Sequence, residues 1–303
     1  MRTERPADFA GLAGFAEREA RVRVLFAQTG MSARTITAFQ RLVHWFYRRH
    51  GRALPWRATR DPYAVCVSEV MLQQTQVGRV AEKFPAFLAA FPDFAALAKA
   101  PLRDVFRLWH GLGYNRRALA LKRAAVAVVT QHAGTLPRTT EALDALPGIG
   151  PATAASIAAF AFNKQTVFLE TNIRAVLIHF FVPASSRRRP ASDQALHSLA
   201  AQTLDKKRPC DWYNALMDLG THLKATHGNL TAHSAGYRKQ SRFHGSRRQV
   251  RGRILKHLLG HGSCSTSRLA TQLDLPKQSV GSVLEMLLAE GLVRRDGKAR
   301  FTL

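Results

Sequence analysis

The chain has 303 residues, 46% of them hydrophobic, which is room for about two domains and too apolar for an intrinsically disordered binder. Its formal net charge of +25 is costly on a compact monomer unless a polyanion offsets it, nucleic acid being the usual one and an anionic membrane surface the alternative. No apolar run reaches the roughly 18 residues of a membrane span, and the scattered Cys66, Cys210 and Cys264 form no CxxC pair, which speaks against a disulfide scaffold or a four-thiolate metal site and for a reducing cytoplasm.

Residues 1–30 mix Glu4, Asp8, Glu17 and Glu19 with arginines, a pattern that fits neither a secretory signal nor an acid-poor transit peptide. They read as a peripheral N-terminal extension, with Met31 opening a fresh amphipathic helix. From Ser32 to His50, Ile36, Phe39, Val43 and Phe46 recur at three- and four-residue steps, forming one apolar stripe. Arg52-Ala-Leu-Pro-Trp56-Arg57 breaks it. The next helix is predicted from about Tyr63 to Phe84, with Glu69, Gln73 and Gln76 on a single polar stripe at i, i+4 and i+7. Phe91-Pro92-Asp93 ends a further helix. Leu102–Trp109, Arg117–Gln131, Thr140–Ala145 and Pro151–Phe162 continue the helical pattern, so residues 31–235 form one mainly α domain.

After Asp218 the composition shifts, and no Asp or Glu occurs between Leu219 and Leu273. Gly228 to Gly245 is polar and Gly-punctuated, which predicts a loop, and its end, residues 236–248, reads as a basic linker facing phosphates. In residues 249–303, Val250, Ile254, Leu258 and Leu259 mark a helix, Ser265–Leu273 a second and Pro276–Glu290 a third. A two-stranded ribbon turning at Asp296-Gly297 follows, the outline of a winged helix-turn-helix.

Three segments carry chemistry. Leu146-Pro-Gly148-Ile-Gly150, followed by the helix from Pro151, is a tight hairpin whose backbone N–H groups and helix dipole suit a phosphate. Glu69, set among Val70, Met71 and Leu72, would lose solvation and stay protonated near neutral pH, as a general acid must. In Val167-Phe-Leu-Glu170-Thr-Asn172, a lone carboxylate follows an apolar approach. Read alone it is a helix start. Paired with Glu69 it offers an anion to an oxocarbenium-like sugar cation.

ALPWR (53–57), DPYAVCVSEVMLQQTQV (61–77), FPDFAALAKAPLRDV (91–105), LWHGLGYNRRALAL (108–121), LPGIG (146–150) and NALMDLG (214–220) together resemble the A/G-specific adenine DNA glycosylases, the MutY-type branch of the endonuclease III superfamily. The resemblance implies a two-lobed helix-hairpin-helix glycosylase domain acting on double-stranded DNA with a mispaired base, as a monomer. It implies that Glu69 protonates adenine, that Asn172 orients the catalytic groups, and that Gln73 and Tyr114 enter the duplex beside the flipped base. Gly148 and Gly150 would belong to the phosphate-binding hairpin, where a monovalent cation can also sit, and Trp56 to the pocket wall.

The chain departs from that pattern in several places. Glu170 stands where the family has Asp, a shift of about 1.5 Å for the carboxylate, and displacements of about 1 Å can cost roughly a hundredfold in rate. The four cysteines that usually follow MDLG are missing, so no iron–sulfur cluster is expected; Arg238, Lys239, Arg242, Arg247 and Arg248 would supply the phosphate contacts instead. The spacing of His222, His227, His233 and His244 matches no usual zinc pattern. A winged helix replaces the domain that reads 8-oxoguanine. Ala152 stands where bifunctional relatives have a Schiff-base lysine, which predicts base removal without strand cleavage. A thymine or uracil mismatch glycosylase of the same fold, and a DNA-binding protein without catalysis, are the competing readings.

Overall fold

The computed structural model describes residues 13–183, 189–239, 242–297 and 299–303. Residues 1–12 of the expected extension and 240–241 of the expected linker lie outside the described residues. In chain order the helices are α1 (Phe15–Thr29), α2 (Ala33–His50), α3 (Pro62–Leu72), α4 (Val77–Ala90), α5 (Phe94–Lys99), α6 (Leu102–Trp109), α7 (Arg116–Gln131), α8 (Thr140–Asp144), α9 (Pro151–Phe162), α10 (Thr171–Phe181), α11 (Asp193–Thr203), α12 (Pro209–His227), α13 (Arg247–His261), α14 (Thr266–Leu273) and α15 (Lys277–Ala289). The strands are β1 (Cys264–Ser265), β2 (Arg294–Asp296) and β3 (Arg300–Thr302). Among the described residues no helix is long and apolar enough to cross a membrane.

The chain divides into two units. One comprises residues 1–53 and 155–239, the other 54–154 and 240–303. In the first, α2 and α12 pack on each other and α12 lies along α10. Phe39 meets Phe180, Phe181 and Trp212 edge-on, with centroids 4.9–5.7 Å apart, the geometry that aromatic quadrupoles favour. Ser32 caps α2 by accepting from the Thr35 N–H, and Arg48, Arg49 and His50 in its last turn complement the helix dipole. The stretch 15–29, expected to be peripheral, is a packed helix. Phe15 and Val22 are buried, Phe15 meets Phe46 and His222, and Glu19 bonds His179 at 2.8 Å. The weak amphipathy of α1 hid this, because part of its contact with α10 is made by charged residues.

In the second unit α5 packs on α7 and α3 on α4, around the buried Phe87 and Trp109. The helix expected from Tyr63 to Phe84 is two helices, and the single polar stripe does not exist. α3 stops at Leu72, Gln73 leaves helical geometry, Gln74 has φ +52°, and α4 restarts at Val77. α13, α14 and α15 precede a three-stranded antiparallel sheet of order β1-β3-β2, so the ribbon gains β1 on the free edge of β3. The helix expected from Val250 begins at Arg247, capped by Ser246 accepting from the Gln249 N–H.

Part of the stretch expected as an open loop is tied down. Arg174 of α10 donates to both Asp193 oxygens (2.6 and 3.0 Å) and to Ser234 Oγ at 3.0 Å, and the Ala235 N–H donates to Ala191 O at 2.9 Å.

Candidate functional site

Asp61 starts α3, accepting from the Tyr63 and Ala64 N–H groups, with Pro62 at the first helical position. Eight residues on, that helix carries Glu69 inward, 8% exposed in a run that is buried from Tyr63 to Met71. The carboxyl is felt by its neighbour one turn back: burial pushes the Cys66 thiol up to about 12, and the Glu69 charge adds to the rise. Gln73, at the C-terminal end of α3, donates from Nε2 to Thr153 Oγ1 of α9 at 3.1 Å. The turn of the acid's helix is thereby bonded to the helix that follows the hairpin.

That turn has an organiser to which the sequence assigned no role, Arg117 of α7. One of its Nη groups donates to the Val70 and Met71 carbonyls, both at 2.8 Å, and so caps α3 with a cation where the dipole is negative. The other reaches Thr75 Oγ1 at 2.8 Å and the Leu112 and Gly113 carbonyls at 3.2 Å. The guanidinium lies 5.4 Å from the Trp109 ring and 5.5 Å from the Tyr114 ring. Burial brings it down to about 10, still charged at neutral pH. One side chain thus joins the Gln73 turn to the loop bearing Tyr114. Tyr114 has φ +47°, is exposed, and its hydroxyl accepts from Arg248 at 3.0 Å.

The hairpin is closed by Ile149 N–H donating to Leu146 O at 3.1 Å. Gly148 has φ +77°, and a Cβ there would stand 2.5 Å from Ala120 Cβ, so glycine is demanded twice over. A Cβ at Gly150 would meet nothing within 4 Å; that position is open. Trp56, expected in the pocket wall, is buried and packs edge-on to Phe84.

Glu170 and Asn172 lie in the first unit and Glu69 in the second. Glu170 is the N-cap residue of α10, but its side chain makes no capping bond, so capping does not explain the carboxyl. It is exposed, and surrounding protein still raises it above the ordinary carboxylate value, to an extent that water access limits. Asn172 is held from behind. A Cβ on Gly220 would lie 2.4 Å from Asn172 O and 2.6 Å from its Cβ, so the last residue of NALMDLG is glycine because α12 presses on the start of α10 there. Asp218, two residues earlier, is buried and accepts from the Arg52 N–H at 2.8 Å and its Nε at 2.6 Å.

The basic residues expected to form one linker divide between the units. Arg238 and Lys239 belong to the first, where Arg238 lines a hollow with Thr171, Arg174 and Lys224; Arg242, Arg247 and Arg248 belong to the second. Of the residues missed by sequence reasoning, Gly220 had a signal in its motif. Arg117 likewise lay inside a quoted motif, LWHGLGYNRRALAL, whereas Thr153 had no such signal.

Residues 67–202 match the model of the HhH-GPD superfamily base excision DNA repair protein. An adenine DNA glycosylase of Mycolicibacterium smegmatis is 33% identical over 283 residues, covering 86% of this chain and 94% of that protein. The chain belongs to the adenine DNA glycosylase family. The mouse family member is 37% identical over 207 residues, 65% of this chain but 40% of that protein, so the chain spans about two fifths of the mammalian length. Among solved structures, that of a thermostable thymine-DNA glycosylase is similar at a TM-score of 0.54 and 26% identity, covering 61% of this chain and 85% of that one.

Proposed function

We propose that the protein is a monofunctional DNA N-glycosylase that releases adenine mispaired with guanine or 8-oxoguanine. The observation that carries this is Glu69, a carboxyl buried mid-helix in α3, one turn before a glutamine bonded to the helix of a phosphate-type hairpin. Shielding from water favours the neutral, proton-bearing form of a carboxyl, which is the form a general acid needs.

In the reaction, Glu69 gives its proton to the adenine ring as the bond from C1′ to the base breaks, the bonding pair leaving with the base. The sugar cation is stabilised by the Glu170 carboxylate, and Asn172 orients these groups. Water then adds at C1′ and passes a proton to the Glu69 carboxylate, restoring the acid and leaving free adenine and an abasic site. Gln73 and Tyr114 occupy the space of the extruded nucleotide, and Gly148 and Gly150 bring backbone N–H groups to a phosphate, with a monovalent cation able to share that hairpin. Ala152 provides no amine, so the strand stays uncut. The reading includes a monomer in a reducing cytoplasm, with no iron–sulfur cluster, in which Arg238, Lys239, Arg242, Arg247 and Arg248 provide phosphate contacts.

The test is a panel of duplexes carrying A, T or U opposite G or 8-oxoguanine. The proposal expects adenine release that collapses by at least about a hundredfold in Glu69→Gln while duplex affinity persists. Release of thymine or uracil alone would select the second reading, which the similarity to a thymine-DNA glycosylase structure favours. No base release from any duplex would leave a binding protein.

A further inference from the structure

The winged module of α13–α15 and the sheet is fastened to the helices that carry Tyr114. Glu290, at the end of α15 and with 16% of its side chain exposed, receives Arg251 of α13 on Oε1 at 2.7 Å and on Oε2 at 2.5 Å. The same carboxylate receives Arg116 from the first residue of α7, two positions after Tyr114. Around it, Arg123 of α7 donates to the Glu290 carbonyl at 3.5 Å and Arg103 of α6 donates to the Leu259 carbonyl at 3.0 Å. The two arginines hold the Glu290 carboxyl down to about 2, so the clasp stays charged at any working pH. Against this clasp, α13 extends Arg248 to the Tyr114 hydroxyl at 3.0 Å.

A phenol oxygen is a neutral acceptor, whereas a phosphate oxygen forms a charge-assisted bond roughly twice as strong. An arginine beside Tyr114, in a chain of net charge +25, gains by exchanging the one for the other. We propose that the winged module is a fixed part of the duplex-gripping surface, with Glu290 as the latch that sets Arg248 beside Tyr114, and that its ligand is the phosphate backbone next to the nucleotide Tyr114 displaces. This rests on the glycosylase reading only for the role of Tyr114.

Simple charge counting and the latch make opposite predictions. Removing an acid from a DNA-binding protein should strengthen binding; removing a latch should weaken it. Fluorescence anisotropy on a labelled duplex with A opposite 8-oxoguanine, over a range of salt, reads both. We expect Arg248→Ala to lose about tenfold in affinity and to lower the salt slope by about one. Glu290→Ala should weaken binding as well, and the loss should vanish when Arg248 is already alanine.

Tighter binding by Glu290→Ala, or unchanged affinity and slope in Arg248→Ala, overturns the proposal. If a melting curve shows that Glu290→Ala unfolds the module, the half-buried Arg248 decides alone. The two readings separate cleanly: wild-type protein that releases no base while showing Arg248-dependent, Glu290-dependent affinity removes the glycosylase reading and keeps this one.

Discussion

The guanidinium of Arg117 ties the end of α3, Thr75 and the loop before α7 into one turn, and its fork geometry allows this. Lysine keeps the charge but presents a single point, so Arg117→Lys must abandon the Val70 and Met71 carbonyls or Thr75 and Leu112. At about 1.5–3 kcal/mol for a hydrogen bond to a charged group, the variant should lose about 2 kcal/mol in denaturant unfolding. A purely structural arginine would then leave kcat alone. Because Gln73 and Tyr114 hang on this turn, single-turnover base release should fall at least about tenfold while KM changes little; an unchanged kcat refutes the positioning role. Glu170 allows a second test. Its carboxyl is raised above the usual value, so the native state binds a proton more readily than the unfolded chain, and stability falls as pH rises through that value. Glu170→Gln should therefore raise the melting temperature slightly at neutral pH while reducing base release. In the unmutated protein, release should fail on acidification at a higher pH than an ordinary glutamate would set.

At the level of elements, the readable features were those whose causes lie close together in the chain. The stripe of Phe39, Val43 and Phe46 in α2, and Gly148 before Gly150, depend on spacing alone. The break at Gln73 was illegible because its cap comes from Arg117, 44 residues further on by the numbering. The packing of α1 was illegible for a related reason, since the partner of Glu19 is His179 on α10. Glu69 could be singled out by its motif, but its helix was drawn too long. Gly220 shows how a motif letter becomes a measurable constraint. Gly220→Ala forces a methyl to within 2.4–2.8 Å of backbone and Cβ atoms of Asn172, which backbone movement alone can relieve. Overpacking of this kind costs typically about 1–3 kcal/mol, and the displaced element is the start of α10, with Glu170 and Asn172. Urea unfolding should report that loss, and base release should fall by more than the folded fraction does. An alanine variant as stable and as active as the parent would show that the close approach carries no function.

Across the whole molecule, the basic excess and the buried histidines pull on different variables, salt and pH. His44, His179 and His222 all lie in the first unit, and burial holds each below the ordinary histidine value of 6.5. Acid partners oppose this, Asp205 for His44 and Glu19 for His179, yet burial is the larger effect in both. A histidine whose native pKa is depressed takes up protons on unfolding, so stability is complete above the unfolded value and declines as pH falls through about 6.5. The Glu290 clasp in the second unit runs on a carboxyl near 2 and is indifferent to that window. Melting followed by hydrogen exchange should therefore show α2, α10 and α12 losing protection between about pH 7 and 5.5, while α15, which carries no histidine, keeps its own. His44→Gln should flatten part of the decline, because a neutral side chain of similar reach has no proton to gain. If instead both units lose protection together and His44→Gln leaves the slope unchanged, the carboxylates govern the acid response, and the histidines are packing alone.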